Sequence, residues 1–208
     1  MITEIRKSIL SGLLISIGGS AYISCTIAGI GWFGAVLFTF GLYAICAYGF
    51  NLYTGKVGYI SYDLRNVRYM GHVALVLLFN LMATFVVGAI MSLAFTELAE
   101  SAAEMYAAKL ERSLFRSFLS SVFCGLIMFV AVDSNKRGHS IGMFLAIPTF
   151  IFCGFDHSIA NSFYNGLSVG AETFTLKNAV FIMVVIIGNA VGGMLMPLIM
   201  GKKLRTEK

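Results

Sequence analysis

Charge is what this sequence is short of. Only 12% of its 208 residues are Asp, Glu, Lys or Arg, while 58% are hydrophobic. A soluble domain carries about 25% charged residues, so a soluble class is excluded and a membrane protein is expected. Alternation of apolar and polar residues is also missing. That excludes a transmembrane β-barrel, whose strands alternate over segments of about ten residues. The four cysteines, Cys25, Cys46, Cys124 and Cys153, have neither CxxC spacing nor a neighbouring histidine in sequence. They read as small buried hydrophobes rather than metal ligands. No cleavage pattern ends the apolar run that follows Arg6 and Lys7, so that run reads as a retained helix and not a signal peptide.

What is present is apolar length. Six runs, near residues 8–30, 33–61, 70–95, 113–132, 140–166 and 178–200, each reach the roughly 20 residues that a helix needs to cross a bilayer. The expected fold is all-α and integral to the membrane, with six transmembrane helices in one domain over residues 1–208. Lys and Arg set the orientation. With the N-terminus in the cytoplasm, the inner segments hold Arg6, Lys7, Lys56, Arg65, Arg68, Lys136, Arg137, Lys202, Lys203, Arg205 and Lys208. Only Lys109, Arg112, Arg116 and Lys177 fall outside, among Glu97, Glu100, Glu104, Glu111 and Glu172. Both termini are then cytoplasmic. The net charge of +5 follows from this positive-inside bias, and no nucleic-acid partner is needed to explain it.

Two stretches interrupt the apolar runs. GFNLYTG at 49–55 aligns with GFDHSIA at 154–160: each begins Gly-Phe, then places Asn51 or Asp156. Further on, each half carries a lone asparagine early in an apolar helix, Asn80 and Asn189. Helices 1–3 (about 8–95) and 4–6 (about 113–200) therefore read as two copies of one unit. An odd number of spans per copy turns the copies opposite ways, an inverted repeat about an axis in the membrane plane. Gly49, Asn51 and Gly55 are expected to break the second helix, and Gly154, Asp156 and Ser158 the fifth. Irregular backbone at that depth is tolerated only in a protein interior or against a water-filled cavity. The freed amides and half-helix N-termini favour anions. His157 is the one histidine deep inside a span, next to an acidic residue, whereas His72 stands at the start of the third run. Intramembrane ionisable residues are functional by default.

These motifs resemble the formate/nitrite transporter family, which includes formate, nitrite and hydrosulfide channels. GFDHSIANSF is similar to its signature, NLYTGK to its other broken-helix loop, FCGLIMFVAV to its fourth-helix motif and IGNAVGG to its sixth. Lys109 precedes Gly125 at the family's spacing from its outer lysine to the fourth-helix motif. The resemblance runs from about residue 10 to 201. It implies an aquaporin-like arrangement, homopentamers with one pore per protomer, and passage of small monovalent anions with protons as partners. It implies an outer constriction of Phe38, Leu42 and Phe150, and an inner one of Leu52 and Tyr53 faced by Met128. Between them it places His157 with Thr54 as hydrogen-bonding partner. Lys109 would gather anions at the outer mouth, beside Asp156, and Asn189 and Asn80 would help line the path. Four residues depart from the family pattern: Asp156 for the usual Glu, Asn51 for a common acid, Gly125 for Asn, and Tyr53 for Phe.

The expectation is a channel or transporter for formate or nitrite in a bacterial plasma membrane, not an enzyme, with no cofactor and no metal. In it His157 protonates or hydrogen-bonds the anion, so flux depends on pH. Hydrosulfide is the alternative within the family, and proton symport and channel conduction both remain open. A neutral-solute pore of the water or glycerol type is the rival class, but the chain has no paired Asn-Pro-Ala signature and no intramembrane arginine. An enzyme acting on a lipid-side substrate would want a better nucleophile than Ser158.

Overall fold

The computed structural model describes residues 1–206, and side chains as far as Gly201. Of the basic residues assigned to the cytoplasmic side, Lys208 and the side chains of Lys202, Lys203 and Arg205 lie outside the described residues.

The described chain is helical. Four helices are long and apolar enough to cross a membrane: α1 (Ile2–Ile27), α4 (Val67–Ser92), α6 (Leu114–Lys136) and α9, which spans Leu176–Thr206 with a kink at Gly201. The second and fifth runs are interrupted. The second divides into α2 (Gly31–Ala47), a short α3 (Tyr53–Lys56) and a 3-10 turn over Val57–Tyr62. The fifth divides into α7 (Ile141–Phe152) and α8 (Ser158–Leu167). Between the halves lies α5 (Thr96–Leu110), a stretch the sequence reading treated only as an outside loop. Ser113 caps α6 by accepting from the Arg116 N–H, and Asn66 caps α4 by accepting from the Tyr69 N–H.

Both interruptions are built alike. Gly49 (φ 64°) and Gly154 (φ 65°) stand just past α2 and α7 in the left-handed region. The next amide reaches back over the last turn, Phe50 to the Ile45 carbonyl and Phe155 to the Phe150 carbonyl, both at 2.9 Å. This is a Schellman ending, which glycine accommodates without a Cβ clash. The breaks themselves are narrower than expected, because Gly55 lies inside α3 and Ser158 opens α8. Gly55 instead leaves room for Val132 of α6, whose Cγ2 would stand 3.1 Å from an added Cβ.

Helix crossings rest on glycine. A Cβ at Gly192 of α9 would lie 1.8 Å from the Val122 carbonyl oxygen, and one at Gly125 of α6 would lie 2.2 Å from that of Asn189. Gly166 of α8 meets the Phe85 carbonyl of α4 in the same way. Such contacts let backbones approach where no hydrophobic force drives helices together. Gly192→Val is accordingly expected to cost about 3 kcal/mol or more through overpacking. It should lower the thermal midpoint in detergent, whereas Gly71→Ala, with nothing within 4 Å of its Cβ, should not.

Polarity is arranged inside out. Asn80, Thr84, Asp156, His157, Asn161 and Asn189 are buried, while Phe40, Ile90, Leu145 and Ile187 are exposed. That apolar outer belt belongs against lipid or a second protein surface. Cys124 is buried as expected, but Cys153, at the end of α7, is exposed.

Candidate functional site

The site begins with two asparagines that hold the broken strands of chain. Asn80 Oδ1 accepts from the Tyr53 N–H at 2.8 Å, while Asn80 Nδ2 donates to the Asn51 carbonyl at 3.0 Å and to that of Ser8 at 2.7 Å. Asn189 repeats the pattern. Its Oδ1 accepts from the Ser158 N–H at 2.8 Å, and its Nδ2 donates to the Asp156 and Ser121 carbonyls, each at 2.9 Å. Each amide thus bridges the residue two before the restarted helix to that helix's first residue and to a long helix beside it. The Tyr53 and Ser158 N–H groups and the Asn51 and Asp156 carbonyls, freed by the breaks, are thereby paired. Asn80 and Asn189 therefore hold the two breaks in place through their backbone, and neither lines a cavity beside His157.

His157 stands between the two halves. It is the N-cap of α8: its Nδ1 accepts from the Ala160 N–H at 3.2 Å. A ring nitrogen that accepts carries no proton, so the neutral ring holds its proton on Nε2. Nε2 lies 2.9 Å from Thr54 Oγ1 of α3 and donates to it. The ring of Phe150 stacks on the imidazole at 5.8 Å, and Phe38 meets Phe150 edge-on at 6.1 Å. Two buried aromatic rings and a buried histidine therefore form one column.

Two cavities approach this column. One, of about 130 Å³, is lined by Lys109, Arg112, Phe150, His157 and Asn161, with Tyr22 of α1 at its side. The other, of about 160 Å³, is lined by Leu42, Leu52, Gly55, Lys56, Asn135 and Lys136. The loop carrying Leu52 is tied to α1 at Lys7, whose carbonyl accepts from the Asn51 N–H. From Lys7 to Tyr22, α1 rises about 22 Å at 1.5 Å per residue. The cavities thus enter from opposite ends of the molecule, each with two cations and no carboxylate on its lining.

On the Lys109 side the charge is organised around Asp156, which is fully buried. Its Oδ1 accepts from Lys109 Nζ at 2.6 Å and from Asn161 Nδ2 at 3.3 Å. Its Oδ2 accepts from Ser120 Oγ at 2.7 Å, with Arg112 Nη1 farther off at 3.5 Å. Lys109 is therefore a paired and largely buried cation at the cavity wall, 8% exposed, rather than a free charge at a mouth.

The other expected residues separate. Leu42 lines the Lys56-side cavity together with Leu52, although it was expected with Phe38 and Phe150 on the other side of the histidine. The turn of helix between Phe38 and Leu42 carries α2 past the ring column. Tyr53 lines neither cavity: its hydroxyl donates to the Ile186 carbonyl at 3.1 Å, a bond to α9 that a phenylalanine would lack. Met128 is buried in α6, one turn before Val132, which lines the Lys56-side cavity. Arg112, Ser120, Lys56 and Lys136 reach the site and were not singled out. Arg112 follows Lys109 by three residues, just past the end of α5, and that proximity was the only signal for it.

The profile of the formate/nitrite transporter family matches residues 2–201. Comparison with curated proteins gives no significant match. Among solved structures, one described as a pentameric formate channel with formate bound superposes with a TM-score of 0.75 at 20% identity, over 94% of this chain and 93% of that one. Another, described as an FNT family ion channel, gives a TM-score of 0.81 at 17% identity, over 94% and 87%. The likeness in fold thus extends over nearly the whole molecule, and with the family profile covering residues 2–201, this chain belongs to the formate/nitrite transporter family.

Proposed function

We propose that this protein passes small monovalent anions, formate or nitrite, across a bacterial plasma membrane, by a path that runs between the two cavities past His157. Membership of the family makes it a transporter or channel and not an enzyme. The observation that carries the reading is the placement of the Nε2–H of His157, bonded to Thr54, between two cation-lined cavities and beside a column of apolar rings.

An unpaired anion in an apolar constriction costs several kcal/mol even after relaxation. Its neutral acid is far cheaper to place there. Lys109 and Arg112 on one side, and Lys56 and Lys136 on the other, raise the local anion concentration. Phe38, Phe150, Leu42 and Leu52 exclude bulk water. At the histidine the anion meets the Nε2–H and the Thr54 hydroxyl, which supply a hydrogen bond or a proton. Charging the ring requires a proton on Nδ1 as well, and that breaks the cap on the Ala160 N–H. Proton delivery is thereby tied to the end of α8. Whether the proton leaves with the cargo decides between symport and channel behaviour.

The six-span inverted repeat is part of this reading, supported by the matching asparagine brackets at Asn80 and Asn189. The homopentamer is supported by the exposed apolar belt and by the pentameric structure with the similar fold. Cytoplasmic termini rest on the distribution of Lys and Arg.

Liposomes holding the purified protein test the reading: formate, nitrite or hydrosulfide uptake is expected, with glycerol excluded. Movement of glycerol or water and of none of the three anions would overturn it. A finer test is Thr54→Val, which strips the Nε2–H of its acceptor. It should slow formate uptake roughly tenfold, the worth of about one strong hydrogen bond, while Thr54→Ser should restore it.

A further inference from the structure

Beyond gathering charge, we infer that Arg112 selects planar two-oxygen monoanions, the geometry of carboxylate and nitrite, over hydrosulfide. The inference rests on the transport reading above and narrows its cargo. Three observations carry it. Lys109 and Arg112 both line the cavity above His157, and among the described residues Asp156 is the one carboxylate in ion-pair contact with either, so the group holds an excess positive charge. Asp156 is already satisfied at short range by Lys109 and Ser120, with Asn161 adding a longer bond. Arg112 consequently reaches it only at 3.5 Å, and reaches the Gly154 carbonyl only at 3.3 Å.

Both of those contacts use Nη1. The Nε–H and Nη2–H groups have no protein acceptor among the described residues. That edge of a guanidinium presents two parallel N–H groups, the fork that pairs bidentately with two oxygens on one centre. Formate and nitrite each offer such a pair of oxygens. Hydrosulfide offers a single sulfur and can use only one arm. A lysine at this position would supply the same charge without the fork. Asp156 keeps its carboxylate on Lys109 and Ser120 and leaves the guanidinium loosely held.

The test measures half-saturation for formate, nitrite and hydrosulfide uptake in liposomes holding wild-type, Arg112→Lys or Arg112→Gln protein. In Arg112→Lys the values for formate and nitrite should rise roughly tenfold, in line with the loss of a charged hydrogen bond, while hydrosulfide changes less than about twofold. Arg112→Gln, which also removes the charge, should weaken all three. The formate-to-hydrosulfide ratio is taken within one preparation, so the fraction of folded protein does not move it. Equal shifts for the three anions in Arg112→Lys, or none, would overturn the inference. Wild-type protein that moves no anion is a different result, and it overturns the transport reading itself along with this one.

Discussion

Liposomes carrying His157→Phe protein are expected to take up formate about a hundredfold more slowly than wild type at acid pH, and to lose the pH response. Phenylalanine fills the imidazole's place in the ring column and can still stack on Phe150. It removes the donor to Thr54 and the acceptor for the Ala160 N–H. The anion would then cross the constriction with neither a proton nor a hydrogen bond. A penalty of about 3 kcal/mol is modest for a desolvated ion, and each 1.36 kcal/mol is a factor of ten in rate. Loss of the α8 cap costs stability as well, typically about 1 kcal/mol. Size-exclusion profiles of the variant should therefore accompany the flux measurement. Unchanged flux and pH dependence in a folded His157→Phe protein would remove the histidine from the mechanism.

The second large effect is expected at Asn189. Replacing it with Leu leaves the Ser158 N–H and the Asp156 carbonyl unpaired in a buried site, and takes a second hydrogen bond from the Ser121 carbonyl of α6. Each buried unpaired group costs about 1–3 kcal/mol, so for the two groups a total of roughly 2–6 kcal/mol is at stake. That approaches the whole stability of an ordinary domain. The variant should be recovered poorly and unfold at a much lower temperature in detergent. Asn80→Leu should behave the same way, because Asn80 makes the corresponding three bonds. A large loss at one asparagine and a small one at the other would break the structural parallel between the halves. An Asn189→Leu protein of wild-type thermal stability would show that the bracket is not what holds the break together.

Much of this architecture was legible in the residues. The long apolar runs stand out because membrane helices need length and have few charges. The interruptions could be placed because Gly49 and Gly154 sit where apolar chain would otherwise continue, each followed by Phe and a short polar residue. Asn80 and Asn189 could be picked out as lone amides in apolar helices, but what they bind could not. Their partners lie on loops far away in sequence, and spacing does not specify a contact across the fold. Leu42 shows the same limit. It shares a helix face with Phe38, yet one turn takes it away from the Phe150 ring and onto the lining of the Lys56-side cavity. Tyr53 was placed at a constriction by analogy with phenylalanine, but its hydroxyl finds a backbone acceptor on α9 and takes the ring with it. Helix α5 was missed because its glutamates and lysine look like an ordinary loop. Arg112 and Ser120 were passed over because only the folded chain brings both to Asp156.

The claim on which the account turns is that His157 supplies a proton and so neutralises the cargo in the apolar constriction. Its most direct test is the rate of formate uptake into liposomes as the external pH is varied from 8.0 to 5.0, with the internal pH held fixed. If neutralisation controls entry, uptake by the wild-type protein rises as the pH falls, since each unit supplies tenfold more protons, and it levels off once the donor is saturated. Formate uptake that is equally fast across the whole range, with the background of protein-free liposomes subtracted, would contradict the account.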